Sequence, residues 1–284
     1  MIPRGSFRTG AVRCCNMVEK RKYDLVMAMG VVCACSQALR TAGLQYTSLP
    51  FDWNAGRDLR LKVDMMVDGC AGWLKRESFV KVRSTQVGVT DHWEDDRGFW
   101  FTHDFTEAGD LDKELPAVRE KYARRVERME KLLSSVRRVL LVCIEMPGWP
   151  EVSPEDFAYC RETLGRKWPD VTFDLLNLKY RAGVAFANRT EREENGLRVV
   201  SFDYKDSKEE GWRIDYRRVG KWLATEYEAV DFRTEAEKEA WRKAVAGHEY
   251  GRYHVTNFWD YLYTKLRYKI YRHLVKDLQR KGVI

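Results

Sequence analysis

Tyr23-Asp24-Leu25-Val26-Met27-Ala28-Met29-Gly30 runs directly into Val31-Val32-Cys33-Ala34-Cys35-Ser36-Gln37-Ala38-Leu39-Arg40-Thr41, and this stretch decides how the rest of the chain is read. The unbroken apolar run from Leu25 to Met29 is too short for a buried helix and predicts a buried strand over Tyr23 to Met29. Gly30 breaks it. Cys33 to Thr41 predicts a helix, with Gly43 as its stop. A strand, a glycine turn and a helix in that order place Cys33 where the first helical N–H groups are unsatisfied and partially positive. A thiolate is stabilised there, and its nucleophilic fraction rises. The same N–H groups can donate to an oxyanion. A small apolar Cys that simply packs at a tight turn is the competing reading.

Outward from this stretch, Asp58 predicts an N-cap for a helix over Leu59 to Leu74, whose Leu59, Val63, Met66, Val67 and Cys70 recur at helical spacing. Gln86 to Phe105 is rich in β-branched and aromatic residues and predicts two strands, with a turn near Asp95-Asp96-Arg97-Gly98. Leu115 to Ser134 predicts a helix with Val118, Tyr122, Val126, Met129 and Leu133 on its buried stripe. Val139 to Glu145 predicts a buried strand. Ser153-Pro154-Glu155-Asp156 combines a cap, Pro at the first helical position and a carboxylate at the third, and starts a helix reaching about Lys167. Phe173 to Leu178 and Leu197 to Tyr204 predict strands, Ala182 to Gly196 an irregular polar segment, and Thr234 to Ala246 and Asn257 to Gln279 two closing helices. Strand–helix–strand alternation after Val139, set beside helices and a hairpin before it, predicts an α+β (mixed α/β) fold with helices flanking a central sheet.

The composition sets bounds. Among 284 residues, 44% are apolar, with 10 Trp, 14 Tyr and 12 Phe, enough to build a sizeable core. The net charge of +7 is gathered in Arg4 to Lys22 and Lys265 to Lys281. Excess Lys and Arg attract anions, but no stripe of basic residues interleaved with aromatics matches a nucleic-acid module, so no specific nucleic acid is expected as a partner. No run approaches the ~18 apolar residues of a membrane span. Leu25 to Ala34 follows Lys20-Arg21-Lys22 but leads to no small-residue cleavage site, which argues against a signal peptide. Seven Cys without paired spacing fit a reducing, cytoplasmic setting. Residues 1–22, which include the cleavage-site-like Ile2-Pro3-Arg4-Gly5-Ser6, read as a flexible basic tail, and 23–284 as a single domain with a C-terminal helical extension.

A thiol nucleophile needs a base. The chain has five His. His103, at the end of Gly98-Phe99-Trp100-Phe101-Thr102, could point from a strand at the helix N-terminus and take the thiol proton. His92, between Asp91 and Trp93, reads as surface. Asp104 is a poor orienter of His103 on a regular strand, because neighbouring side chains point to opposite faces. Asp52 and Glu145 are other acids that could reach. Cys35 reads as core. His254-Val255-Thr256-Asn257 reads as a helix cap, and His248 and His273 as ordinary helical positions. No His, Cys, Asp and Glu set has metal-ligand spacing, and no phosphate loop, dinucleotide fingerprint or Gly-x-Ser-x-Gly elbow occurs, so no cofactor is expected.

Tyr23-Asp24-Leu25-Val26 through Gly30-Val31-Val32-Cys33, then Leu39-Arg40, Gly43-Leu44, Ser48-Leu49-Pro50-Phe51-Asp52-Trp53 and His103-Asp104-Phe105, resembles the opening of a family of unknown function described as papain-like cysteine peptidases. Lys121-Tyr122, Arg124-Arg125-Val126 and the Val139 to Val142 strand resemble it too, so the likeness covers roughly residues 23 to 145. The resemblance implies a papain-like fold with Cys33 as nucleophile and His103 as base, and it draws attention to Asp104 and Asp52. It departs at Val32, where the family often carries a polar amide able to line an oxyanion hole. It further implies a peptide substrate, or an acylated small molecule or glycan if the same pair serves acyl transfer in glycan or polysaccharide biosynthesis. The alternative is a papain-like scaffold without activity that binds a glycan or protein through its Trp-rich surface. Oligomeric state is not legible.

Overall fold

The computed structural model describes residues 19–56, 58–82, 92–105, 110–145, 151–182, 189–204, 216–231 and 233–240, with positions 243, 262 and 266 in addition. The chain divides into two compact units, Met1–Val230 and Asp231–Ile284, and every element named below belongs to the first. In the second, residues 235–240 are helical. Apart from positions 262 and 266, the predicted helix Asn257 to Gln279 lies outside the described residues, as do positions 241, 242 and 244–246 of the predicted helix Thr234 to Ala246, His248, His254 and His273, and positions 83–91.

The central sheet holds five strands, β2 (Leu25–Ala28), β6 (Arg138–Ile144), β7 (Thr172–Ala182), β9 (Leu197–Tyr204) and β8 (Arg189–Glu194), in that spatial order. The first four run parallel and β8 is antiparallel to β9. The apolar run of β6 is buried on both faces, as parallel strands require. Val139, Leu141 and Cys143 join one core, and Leu140, Val142 and Ile144 the other. The first core is filled by α2 (Leu59–Val67), α3 (Leu111–Leu133) and α4 (Pro154–Lys167), and the second by α1 (Ala34–Thr41) and α5 (Tyr216–Glu226). Gly220 lets α5 press on α1, since a Cβ there would sit 2.6 Å from Thr41 Cβ.

Two smaller sheets complete the unit. β3 (Val80–Val82), β4 (His92–Glu94) and β5 (Trp100–Phe101) form an antiparallel meander, and β1 (Arg21–Tyr23) pairs in parallel with β10 (Tyr227–Ala229). Helices and mixed sheets together make the chain α+β, as the sequence predicts.

Several elements differ from expectation. α2 stops at Val67 instead of Leu74, because Gly69 and Cys70 adopt left-handed backbone with φ of 66° and 57°. α3 starts four residues early, at Leu111, where the Asp110 carboxylate accepts from the N–H of Asp112. Val126 is half-buried at the edge of its stripe, while Val118, Tyr122, Met129 and Leu133 are buried. The segment expected to be irregular from Ala182 to Gly196 contains β8, whose Arg and Glu residues suit an edge strand. The sequence reading missed α5 and β10.

Candidate active site

In the turn between β2 and α1 the carbonyls of a chain that leaves the sheet each find a donor. The N–H of Met29 still donates to Val142 O at 2.8 Å, the last bond to β6. Gly30 follows because nothing larger fits, since a Cβ would lie 2.7 Å from Cys35 Cβ and 3.1 Å from Ile144 N. Val31 O accepts from Gly56 N–H at 3.0 Å, Val32 O from Cys35 N–H at 3.1 Å, and Cys33 O from Gln37 N–H at 3.0 Å. Cys33 is thus the N-cap residue of α1, and its thiol caps no helical N–H. It is half-buried and free; Cys35, Cys70, Cys143 and Cys160 are also free but buried. Burial pushes the Cys33 thiol up, and its own backbone N–H only partly offsets this. Burial thus outweighs the helix terminus at this thiol. Cys35 is core, as expected, with Sγ donating to Val142 O at 3.2 Å.

Two hydrogen-bonded steps carry the chain from this turn to the histidine strand. Gly56 holds Val31, and its neighbour Ala55 forms an antiparallel bridge with Trp100, with N···O distances of 3.1 and 2.7 Å. Trp100 opens β5, and exposed His103 lies three residues further on, in the turn that ends it. On the other side of the bridge, Asp52 lies three residues before Ala55. Asp52 is buried there and reaches α1: its carboxylate accepts from Ser36 Oγ at 2.9 Å and from Leu49 N–H at 2.6 Å. Burial pushes the Asp52 carboxyl up despite these donors. Asp104, also buried, is held by the Lys121 ammonium and by Tyr122 Oη at 3.0 Å, and Tyr122 Oη lies 3.5 Å from Asn54 Nδ2. Asp52 and Asp104 thus brace the loop and the histidine turn against α1 and α3.

Residues 24–147 match the family described as "Putative papain-like cysteine peptidase (DUF1796)". The papain-like match spans Cys33, Asp52, His103 and Asp104, and it ends before β7. No curated protein and no solved structure matches the chain. The peptidase description rests on the family match, whereas the parallel β2-β6-β7-β9 order is a property of this chain's own fold.

Sequence reasoning overlooked or misplaced several residues of this region. Lys62 is fully buried on α2, with Nζ 2.7 Å from Gly30 O and 3.3 Å from Met29 O. It stands on the apolar face of α2, where only an apolar side chain was expected, and nothing in the local pattern marks it. Ser36 is legible only once α1 is known to face Asp52. His92, read as surface, is buried with its ring centroid 4.9 Å from that of Trp100, because β4 turns it inward against β5. Glu145, at the end of β6, accepts from Asn177 Nδ2 at 2.6 Å and Val152 N–H at 2.8 Å, a local role separate from Cys33. Two clefts of about 450–460 Å³, one lined by Phe157, Arg161 and Leu197 and one by Trp73, Arg119 and Tyr122, include neither Cys33 nor His103.

Proposed function

We propose that the chain is a thiol-dependent hydrolase in which Cys33 is the nucleophile and His103 its general base. The observation that carries this is the hydrogen-bonded path Val31–Gly56, Ala55–Trp100, which sets the strand before His103 beside the turn that presents Cys33. The family match covers the stretch that holds both residues, and its peptidase description is in keeping with a peptide as substrate. His103 takes the Cys33 proton as Sγ attacks the carbonyl carbon, and the carbonyl oxygen becomes an oxyanion facing the N–H groups of the first turn of α1. The tetrahedral intermediate collapses, the imidazolium gives its proton to the leaving amine, and an acyl-thioester remains on Cys33. Water, activated by the same imidazole, then releases the acid. If a sugar hydroxyl replaces water, the same two residues make an acyltransferase in glycan assembly. Comparing a panel of peptide amides, esters and thioesters on the native protein and on Cys33→Ala tests the reading. Turnover should fall at least about 10³-fold in the variant. Equal turnover in both proteins contradicts it.

A second reading has an observation of its own. Burial raises the Cys33 thiol, and Asp104 is held by Lys121 and Tyr122. A thiol raised by burial is what a papain-like scaffold that binds a glycan or protein without turnover would keep. Alkylation at neutral pH separates the two, being fast and confined to Cys33 in the enzyme and slow in the binder.

A further inference from the structure

Lys62 is a charged side chain placed in the core. It is fully buried, and among the described residues its ammonium faces no carboxylate at hydrogen-bonding distance. The groups around it are the thiols of Cys35 on α1 and Cys143 on β6, the more distant Asp58 at the start of its own helix, and the two carbonyls. An aliphatic side chain would pack on this face of α2 without burying a charge. The carbonyls explain the lysine. From Val31 to Cys33 each C=O of the turn accepts from a backbone N–H, but β2 is an edge strand and Gly30 has already left it. Gly30 O accepts from Lys62, and Met29 O from Lys62 and, at 3.6 Å, from Cys143 Sγ. A buried carbonyl without a donor costs as much as a lost hydrogen bond.

We infer that Lys62 is a positioning residue for the nucleophile: its ammonium fixes the carbonyls of Met29 and Gly30, and through them the turn that holds Cys33 at the head of α1. This rests on the reading of Cys33 as nucleophile. The link is short, since Gly30 O lies one peptide unit from Val31, whose carbonyl anchors the Ala55–Trp100 bridge through Gly56. Burial also draws the ammonium down to about 8, so the charge that strengthens both bonds is lost in mildly alkaline solution. The neutral amine is the weaker donor.

The test follows iodoacetamide labelling of Cys33 from pH 6 to 10 by peptide mass, in the native protein and in Lys62→Met, with circular dichroism to check folding. Lys62→Met should label Cys33 about tenfold more slowly at pH 7 and shift the labelling midpoint upward by about one unit. A lysine that only supported the fold would lower Tm and leave the midpoint where it was. Equal rates and midpoints in the two folded proteins overturn the inference while leaving Cys33 as nucleophile. Native Cys33 that labels no faster than the chain in urea overturns the nucleophile reading itself, and the inference with it. If Lys62→Met does not fold, the native profile decides: the rate per thiolate should drop through a second midpoint near 8, and a profile governed by the Cys33 midpoint alone overturns the inference.

Discussion

At the scale of the residue, the account turns on how a half-buried thiol is ionised. Burial raises Cys33, and the donors at the head of α1 do not compensate. Activation therefore belongs to a base, and His103 and His92 flank the same strand at unequal exposure. His103→Ala should lower hydrolysis about 10²–10⁴-fold, the usual range for a lost general base, with little change in Tm because the side chain is exposed. His92→Ala should do the reverse, lowering Tm by removing a ring packed on Trp100 and sparing the chemistry. Steady-state kinetics with melting curves of both variants checks the assignment, and exchanged outcomes would move the base to His92. Gly30→Ala should abolish activity and destabilise the fold, because the added Cβ meets both Cys35 and the β6 backbone.

At the scale of the element, the strand–turn–helix around Cys33 and the start of α4 were readable because local chemistry alone specifies them. Ser153 caps α4 by accepting from Asp156 N–H at 3.1 Å, while Asp156 returns a bond to Ser153 N–H at 3.0 Å. Ser153→Ala should cost about 1 kcal/mol in denaturant melts. α3 was readable in its stripe but not in its buried centre. Met129 is fully buried where Val126 is only half so, and Met129→Ala should cost about 2–5 kcal/mol against well under that for Val126→Ala. The rest was hidden for physical reasons. β8 is made of Arg, Thr and Glu, which no hydrophobic period betrays, and it exists because β9 supplies its ladder. α2 ends early through left-handed residues, of which only Gly69 is announced by its type. Lys62 sits where the pattern demands an apolar residue, and only the carbonyls of β2, brought there by tertiary folding, account for it.

At the scale of the whole molecule, two cores on either side of one sheet bury many thiols. Burial pushes Cys35, Cys70 and Cys160 up to about 12 and Cys143 well above the usual thiol range. In the unfolded chain each ionises near 8.5–9. Between about 9 and 12 the folded state therefore holds more protons, and stability falls as pH rises through that window. Three units are worth on the order of 4 kcal/mol per thiol. Lys62 works in the opposite direction: its folded value near 8 lies below the unfolded 10.5, so its contribution rises with pH over that interval, by about 3 kcal/mol. One lysine does not offset four thiols, and Tm should drop steeply above pH about 9. A Tm that holds steady to pH 11 would mean that these thiols are not buried as described. No helix among the described residues is long and apolar enough to cross a membrane.

The central claim is that Cys33 attacks a carbonyl and His103 handles the proton. Mixing the native protein with excess p-nitrophenyl acetate and following both p-nitrophenolate release and intact mass tests it most directly. The account predicts a burst of one nitrophenolate per chain, with one acetyl group mapped to Cys33, no burst in Cys33→Ala, and slowed formation and loss of the acetyl group in His103→Ala. A native protein that shows no burst, or acetyl groups scattered over surface lysines with Cys33 unmodified, would contradict it.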